Sequence, residues 1–330
     1  MASLLFLALL ASVLTASLLR GRTNDVVYGA TFSSIYAAEL GLDVRETYTA
    51  VLDELQVKAL RIPVYWSKVE GSEGVYDFHD LDWMMNEAGG RGIPVTLVIG
   101  QKVPRWPECF IPDWAEQKLE PERGEALLAF MRVVVDRYEH HPALHRWQVE
   151  NESFFPFGEC PAPDPALIAK EIRLVKTFDD VGRPIQLTTS GEQAFWVFRA
   201  FPADVLGFSL YRVVQNDFFG TLVFPYPSEF YGVQRLLARL FADEIVVSEL
   251  QAEPWGIYDE RISDGSGVDA AYSLFTAEDL EEHAAFAKRT GAREIFFWGV
   301  EWWYYLRVRG EPRLWDAGAR IINGGHESEE

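Results

Sequence analysis

The chain has 330 residues, and its 30 Lys and Arg against 50 Asp and Glu give a formal net charge of −20 at pH 7. An acidic surface of this size repels the phosphates of nucleic acids and of anionic lipids, and it favours neutral or cationic ligands. Hydrophobic residues make up 48% of the chain. This share supports a globular core and excludes a disordered protein.

The N-terminal segment is apolar, because residues 2–19 contain no charged side chain. As a helix, this stretch would just reach across a hydrocarbon core of roughly 30 Å. We predict that residues 1–22 are a signal peptide or a membrane anchor, so that the protein is exported and touches a membrane only through this segment. Thr15, Ala16 and Ser17 would suit cleavage, whereas Arg20 and Arg22 follow the apolar run and keep a retained anchor open. The alternative is a first core helix.

From residue 26 onward, short β-branched runs alternate with longer amphipathic stretches, which is typical of repeated βα units. The eight predicted strands are Val26–Phe32, Ala59–Val64, Pro94–Ile99, His145–Val149, Ile185–Thr189, Val205–Leu210, Ile245–Ser248 and Glu294–Trp298. The clearest predicted helices are Val44–Leu55, Gly124–Tyr138, Pro165–Phe178, Glu229–Phe241 and Ala277–Arg289, and Thr276 with Asp279 forms a capping box before the last of them. We therefore predict an α/β fold, a single (β/α)8 TIM barrel over residues 23–322 with a polar tail at 323–330.

A doubly wound open sheet is the alternative fold. Such a sheet usually binds a nucleotide through a glycine-rich turn after its first strand. Here the first predicted strand runs into residues 29–33, GATFS, with neither GxGxxG nor GxxxxGK[ST]. The sequence favours the barrel and predicts no cofactor.

Two carboxylates follow predicted strands at the end where a barrel has its active site. The fourth strand runs into the residues VENE, which end in Glu152, and the seventh runs into VVSE, which ends in Glu249. Both side chains can face the central mouth and flank one bond. Retaining glycoside hydrolysis needs such a pair, about 5–5.5 Å apart, as acid/base and nucleophile.

Two neighbouring glutamates offer alternatives. Glu253 competes with Glu249 as the nucleophile, although it lies further into the loop. Strand alternation directs Glu150 away from the mouth, where we expect an ion pair with Arg146.

In these residues the sequence resembles the clan A glycoside hydrolases, most closely family 5, the cellulase-like barrels. The resemblance extends from Val26 to about Ile322. The matching positions are Asn151-Glu152 after the fourth strand, Glu249 after the seventh, Arg61 in the second and Trp298 in the eighth. It implies that Glu152 is the acid/base, that Glu249 is the nucleophile and that Asn151 holds the sugar hydroxyl beside the reacting carbon. Arg61 and Tyr211 would bond the nucleophile.

The chain departs from the family pattern at two positions. Family 5 members usually carry a His after the third strand and another two residues before the Tyr of the sixth strand. This chain has Gly100-Gln101 at the first position and Ser209 at the second. Both positions normally line the subsite where the chemistry occurs, so the substrate is left open.

Seven of the 11 tryptophans follow the second, third, seventh or eighth predicted strand. Flat aromatic rings match the CH faces of sugars. The predicted substrate contacts among them are Trp66, Trp106, Trp255, Trp298 and Trp302.

The two cysteines, Cys109 and Cys160, fall after the third and fourth strands, on neighbouring loops of the mouth. An exported compartment permits a disulfide between them, and two unpaired thiols are the alternative. His140, His141 and His145 cluster before the fourth strand, at the opposite end of the barrel, so no metal site is predicted.

These features together predict a monomeric retaining glycoside hydrolase that cleaves a β-linked, neutral glycan by double displacement. A non-catalytic glycan-binding barrel is one alternative, and the missing histidines favour it. A transglycosylase that uses the same residues is another.

Overall fold

The computed structural model describes residues 26–196, 203–216, 220–255 and 267–324. The predicted N-terminal segment and residues 325–330 of the tail lie outside these ranges, so export and membrane attachment stay predictions. Within the described ranges, no helix combines the length and the apolar character that a membrane span needs.

Eight parallel strands close into a barrel in the order β1-β10-β9-β6-β5-β4-β3-β2. Their bounds are β1 Val27–Thr31, β2 Leu60–Pro63, β3 Val95–Ile99, β4 Leu144–Val149, β5 Ile185–Ser190, β6 Val205–Leu210, β9 Glu244–Gln251 and β10 Glu294–Trp298. An antiparallel hairpin, β7 Val213–Asn216 with β8 Gly220–Val223, is inserted after β6. The predicted (β/α)8 barrel is confirmed, with β9 and β10 as its seventh and eighth strands.

Helices cover the outside of the barrel. Their bounds are α1 Ser34–Glu39, α2 Val44–Asp53, α3 Trp66–Val69, α4 His79–Gly90, α5 Asp113–Glu116, α6 Glu122–Tyr138, α7 Pro165–Phe178, α8 Ser228–Ala238, α9 Val268–Ser273, α10 Ala277–Arg289, α11 Val300–Arg307 and α12 Arg313–Ile322. The predicted bounds of α7 and α10 are confirmed, and so is the capping box of Thr276 and Asp279. Between β5 and β6, the described residues 191–196 and 203–204 contain no α-helix.

A chain of polar side chains fills the inside of the barrel. Arg61 donates to Gln148, which also accepts from Gln186; Arg146 donates to Gln186 and forms a buried ion pair with Glu294. Each of these side chains is buried, and a buried polar group is stable only when it is hydrogen-bonded. This series of hydrogen-bonded side chains therefore holds Arg61 from inside the barrel, at the floor of the mouth.

Candidate active site

Arg61 lies at the centre of the mouth and is completely buried. Its Nη1 donates to Glu249 Oε1 at 2.9 Å, and its Nη2 donates to Asn151 Oδ1 at 2.6 Å. Its Nε donates to Gln148 Oε1 at 2.8 Å. The planar fork of the guanidinium holds these partners in a fixed arrangement, so a single side chain ties the end of β9 to the end of β4.

Glu249 is positioned by an irregularity in β9. The pairing of β6 with β9 shifts between Phe208 and Ser209, so that Ser209 lies opposite Glu249 rather than Ser248. Glu249 Oε2 accepts a hydrogen bond of 3.0 Å from the Tyr211 hydroxyl, while Arg61 occupies Oε1. A guanidinium and a phenol donor both stabilise the negative charge that a nucleophilic carboxylate carries.

Tyr211 is suited to this donor role because it keeps its proton. Burial, together with the charge of Glu249, raises the pKa of Tyr211 well above its usual value. The predicted contacts of Arg61 and Tyr211 with Glu249 are both present in the structure.

Glu152 lies in a turn after β4 with a positive φ of 43°, a backbone conformation that is uncommon outside glycine. Its backbone N–H donates to Thr188 Oγ1 at 2.6 Å, and its carboxyl Oε1 accepts from Ser209 Oγ at 2.6 Å. Burial first, and the charge of Glu249 second, raise the pKa of Glu152 to about 7. A carboxyl with that pKa can give up and recover a proton near neutral pH, as general acid/base catalysis requires.

Ser209 occupies the position where the resembled family carries a His, and it donates to the carboxyl of Glu152. The other position that departs from the family pattern is Gly100-Gln101, after β3. There the backbone N–H groups of Gln101 and Lys102 donate to the carboxyl group of Glu150 at 2.9 and 2.7 Å. Gly100 permits this contact, because a Cβ there would lie 2.5 Å from Glu150 Oε1. The prediction that Glu150 pairs with Arg146 is wrong, since backbone groups satisfy Glu150 and Arg146 pairs with Glu294.

Two buried glutamates of the site were missed by the sequence reasoning. Glu108 accepts a hydrogen bond of 2.9 Å from Asn151 Nδ2, and Glu192 accepts one of 2.9 Å from the Tyr231 hydroxyl. Burial is the main cause that raises the pKa of each to about 8. Both lie in irregular loops, where neither strand nor helix periodicity indicates which way a side chain points. The only signal near Glu108 was its neighbour Cys109.

Glu253, the alternative nucleophile, pairs with a different arginine from the one that pairs with Glu249. Arg105 forms an ion pair with Glu253 and a second one of 3.1 Å with Glu301. The Arg105 guanidinium also lies 3.8 Å from the ring centre of Tyr36 and 4.3 Å from that of Trp298. Glu249 therefore has the contacts that the resemblance assigns to the nucleophile, whereas Glu253 belongs to a separate network.

Three of the five predicted tryptophan contacts lie along one aromatic series. The ring centres of Trp255 and Trp298 are 5.1 and 6.4 Å from that of Tyr211. Trp106 is 44% exposed, and Phe157 lies 6.2 Å from both Trp106 and Trp255. The series runs outward from the residue that bonds Glu249.

The other two predicted contacts, Trp66 and Trp302, are wrong because both rings are completely buried. Trp66 stacks on Phe130 at 5.6 Å and donates to Glu70, and Trp302 stacks on Tyr305 at 5.1 Å. Each begins or nearly begins a helix directly after a strand. Their side chains consequently turn into the packed layer of the core.

A disulfide joins Cys109 to Cys160 across the loops that follow β3 and β4. This resolves the alternative left open by the sequence. The loops meet closely, since a Cβ on Gly158 would lie 2.6 Å from Glu108 Cβ. Over the described residues, no three His, Cys, Asp or Glu side chains are grouped as a metal site would need.

The closed parallel barrel, with an Asn-Glu pair after its fourth strand and a Glu at the end of its seventh, has the arrangement that the resemblance to the clan A glycoside hydrolases implies. Sequence comparison adds a family: residues 42–161 match Glyco_hydro_42, which is described as beta-galactosidase. This stretch includes Arg61, Asn151 and Glu152 and stops before Glu249. The chain is therefore similar to this family over residues 42–161, and its fold is a closed (β/α)8 barrel.

Several curated relatives share this stretch. Beta-galactosidase bgaB of Geobacillus kaustophilus is 28% identical over 115 residues, which cover 29% of this chain and 17% of the relative. A beta-galactosidase of Arthrobacter sp is 28% identical over 129 residues, which cover 34% and 19%. The chain thus matches less than a fifth of the length of these relatives.

Solved structures agree in fold over nearly the whole chain. A GH42 beta-galactosidase from G. stearothermophilus has a TM-score of 0.61 at 12% identity, and the match covers 92% of this chain and 57% of that one. GH5_18 from Streptomyces cattleya, solved in complex with GlcNAc, has a TM-score of 0.59 at 14% identity, with 91% and 80% covered.

Proposed function

We propose that the protein is a retaining β-glycosidase in which Glu249 is the nucleophile and Glu152 is the acid/base. The observation that carries this proposal is the contrast between the two carboxyl groups. Glu249 accepts from a guanidinium and a phenol, whereas Glu152 accepts from a neutral serine hydroxyl. Paired carboxyl groups whose environments separate their protonation states are the mark of acid and nucleophile assignments.

In the first step, Glu249 attacks the anomeric carbon while Glu152 gives its proton to the departing glycosidic oxygen, so that a covalent glycosyl-enzyme forms and the alcohol leaves. Glu152, now ionised, takes a proton from water in the second step. The water oxygen attacks the same carbon as its proton moves to Glu152, and Glu249 is released as a carboxylate. Arg61 and Tyr211 hold Glu249 in place through both steps.

Carbohydrate is the partner of this site, and no residue in the proposal needs a cofactor. β-Galactosides are the first substrates to test, because the matched relatives are described as beta-galactosidases. β-Mannosides come next, since an exo-beta-1,4-mannosidase from Opitutaceae bacterium strain TAV5 shares the fold with a TM-score of 0.58. We further propose that the enzyme acts as a monomer.

The test is chemical rescue of Glu249→Ala. We expect the variant to lose turnover of 4-nitrophenyl β-glycosides, because it lacks the proposed nucleophile. Added azide should restore part of the activity and release the β-glycosyl azide. Glu253→Gln is the matched control, because Glu253 is a buried glutamate that follows β9, the strand that carries Glu249. This variant should keep turning over the 4-nitrophenyl β-glycosides.

The result also separates the alternatives. Full activity in Glu249→Ala would refute the assignment of the nucleophile. Calorimetric binding of glycans by the wild type without product release from any of them would favour a glycan-binding barrel over an enzyme.

We also propose that residues 1–22 direct the protein out of the cytoplasm, either as a cleaved signal or as an anchor. The uncharged run of residues 2–19 supports this proposal. Intact mass of the protein from the membrane and culture fractions distinguishes the two fates. Full-length protein confined to the cytoplasm would contradict both.

A further inference from the structure

We propose that Glu108 is a positioning residue that fixes the side-chain amide of Asn151 and thereby its recognition of the sugar hydroxyl beside the reacting carbon. This inference rests on the proposed glycosidase function. It assigns a role to a loop residue that neither the resemblance nor the comparisons identify.

The first support is the hydrogen-bond pattern around the Asn151 amide. Its Oδ1 accepts from Arg61 at 2.6 Å and from Thr188 Oγ1 at 3.2 Å, while its Nδ2 donates to Glu108 Oε2 at 2.9 Å. An amide that turned by 180° would place its N–H groups against the Arg61 donor. Glu108 therefore completes the set of partners that allows one orientation. Nδ2 carries two N–H groups, so one of them can donate to a ligand.

The second support is the rigidity of the backbone at Glu108. Its N–H donates to Arg105 O at 2.6 Å, and its carbonyl accepts from Val103 N–H at 2.8 Å. Its φ is +76°, a conformation that costs a non-glycine residue free energy. The next residue, Cys109, is tied by its disulfide to the loop after β4, so the position of Glu108 is fixed from both loops.

The third support is the surroundings of the carboxyl group. Glu108 is 4% exposed, and the titratable groups that act on it are Glu249, Glu152 and Lys102. Burial and the charge of Glu249 favour the neutral acid, whose carbonyl oxygen still accepts from Asn151. A neutral partner orients the amide without adding a second negative charge beside the nucleophile.

The test compares two substrates, 4-nitrophenyl β-galactoside and its 2-deoxy analogue, in five proteins: wild type, Glu108→Ala, Glu108→Gln, Asn151→Ala and the double alanine variant. Wild type should prefer the 2-hydroxy substrate at least tenfold in kcat/KM. Glu108→Ala should lose about tenfold or more on that substrate and little on the 2-deoxy one. Glu108→Gln should largely retain the preference, because the Gln oxygen still accepts from Asn151.

Non-additivity is the second readout. If Glu108 acts through Asn151, the double variant should be no worse than Asn151→Ala alone, within about twofold. Glu159→Ala is the matched control, since Glu159 is an exposed glutamate of the facing loop beside Cys160. It should leave the substrate preference unchanged. Equal losses of Glu108→Ala on both substrates, or additive losses in the double variant, would overturn the proposal.

A binding experiment keeps this inference separate from the proposed function. Wild type that turns over no β-glycoside refutes the glycosidase proposal. Calorimetry with two isofagomine-type iminosugars that differ only in the hydroxyl beside the anomeric position, present in one and absent in the other, then decides the role of Glu108 independently. Wild-type preference for the hydroxylated compound that Glu108→Ala abolishes supports the role. No preference in wild type overturns it.

Discussion

The hydrogen bond from Ser209 to Glu152 leads to a quantitative prediction about pH dependence. Ser209 Oγ donates to Glu152 Oε1 at 2.6 Å, and burial with the charge of Glu249 raises the pKa of Glu152 to about 7. A donor to a carboxyl stabilises its ionised form and so lowers its pKa. Ser209→Ala should therefore raise the pKa of Glu152 further.

The magnitude follows from the two protonation states. A hydrogen bond to an ionised carboxylate contributes about 1.5–3 kcal/mol, and one between neutral groups contributes about 0.5–1.5 kcal/mol. The difference, about 1–1.5 kcal/mol, corresponds to a pKa change of about one, since one pKa unit is about 1.4 kcal/mol. The acid form of Glu152 should persist to a pH about one unit higher in the variant.

The assay is the pH profile of kcat/KM on an alkyl β-glycoside, whose poor leaving group needs the proton of Glu152. In wild type the rate should fall above about pH 7, as Glu152 loses its proton. In Ser209→Ala this basic limb should move to higher pH by about one unit. Ser190→Ala is the matched control, because Ser190 is a buried serine at the end of the neighbouring β5 that bonds Gln193 instead. A basic limb that stays in place or moves to lower pH would refute the reasoning.

Four further changes have expected outcomes. Arg61→Met removes the guanidinium that holds Glu249 and Asn151. The variant should lose at least a hundredfold in kcat/KM. It should also be less stable by about 3–5 kcal/mol in urea unfolding, because the buried carboxyl group of Glu249 loses its partner. Replacing Cys109 and Cys160 by serine opens a loop with a sequence separation of 51 residues, and should lower the free energy of unfolding by up to about 4 kcal/mol; an unchanged urea midpoint would contradict a structural bridge. Trp66→Ala should destabilise by about 3–5 kcal/mol with unchanged KM, whereas Trp255→Ala should raise KM with little loss of stability, and the reverse outcome would contradict their assignments.

The barrel could be predicted because its strands are short, apolar and β-branched, and because each is followed by a stretch of different periodicity. Glu152 and Glu249 followed from the same pattern, since the carboxyl ends of barrel strands share one face. Even the longer β9 did not disturb that prediction: its shifted pairing places Glu249, rather than Ser248, opposite Ser209.

The errors come from residues whose direction is set by tertiary contacts. Trp66 and Trp302 follow strands as predicted, but they lie in helices whose buried sides face the core. Glu150 has a positive φ of 58°, which breaks the strand alternation from which its partner was predicted. Glu108 depends on a loop closed by a disulfide, and no periodic signal reports such a loop.

The net charge of the chain gives a misleading picture of the mouth, because the cations near the site are divided unevenly among its carboxyl groups. Arg61 pairs with Glu249, and Arg105 pairs with Glu253 and Glu301. The ion pairs found in the described part of the chain include none with Glu108, Glu152 or Glu192. Burial without a paired cation favours the protonated acid, which agrees with pKa values of about 8, 7 and 8 for these three. The mouth thus places three buried acids, whose pKa values are raised toward or above neutral pH, beside a Glu249 that Arg61 holds by an ion pair. A proton donor next to an ion-paired carboxyl group is what the proposed double displacement needs.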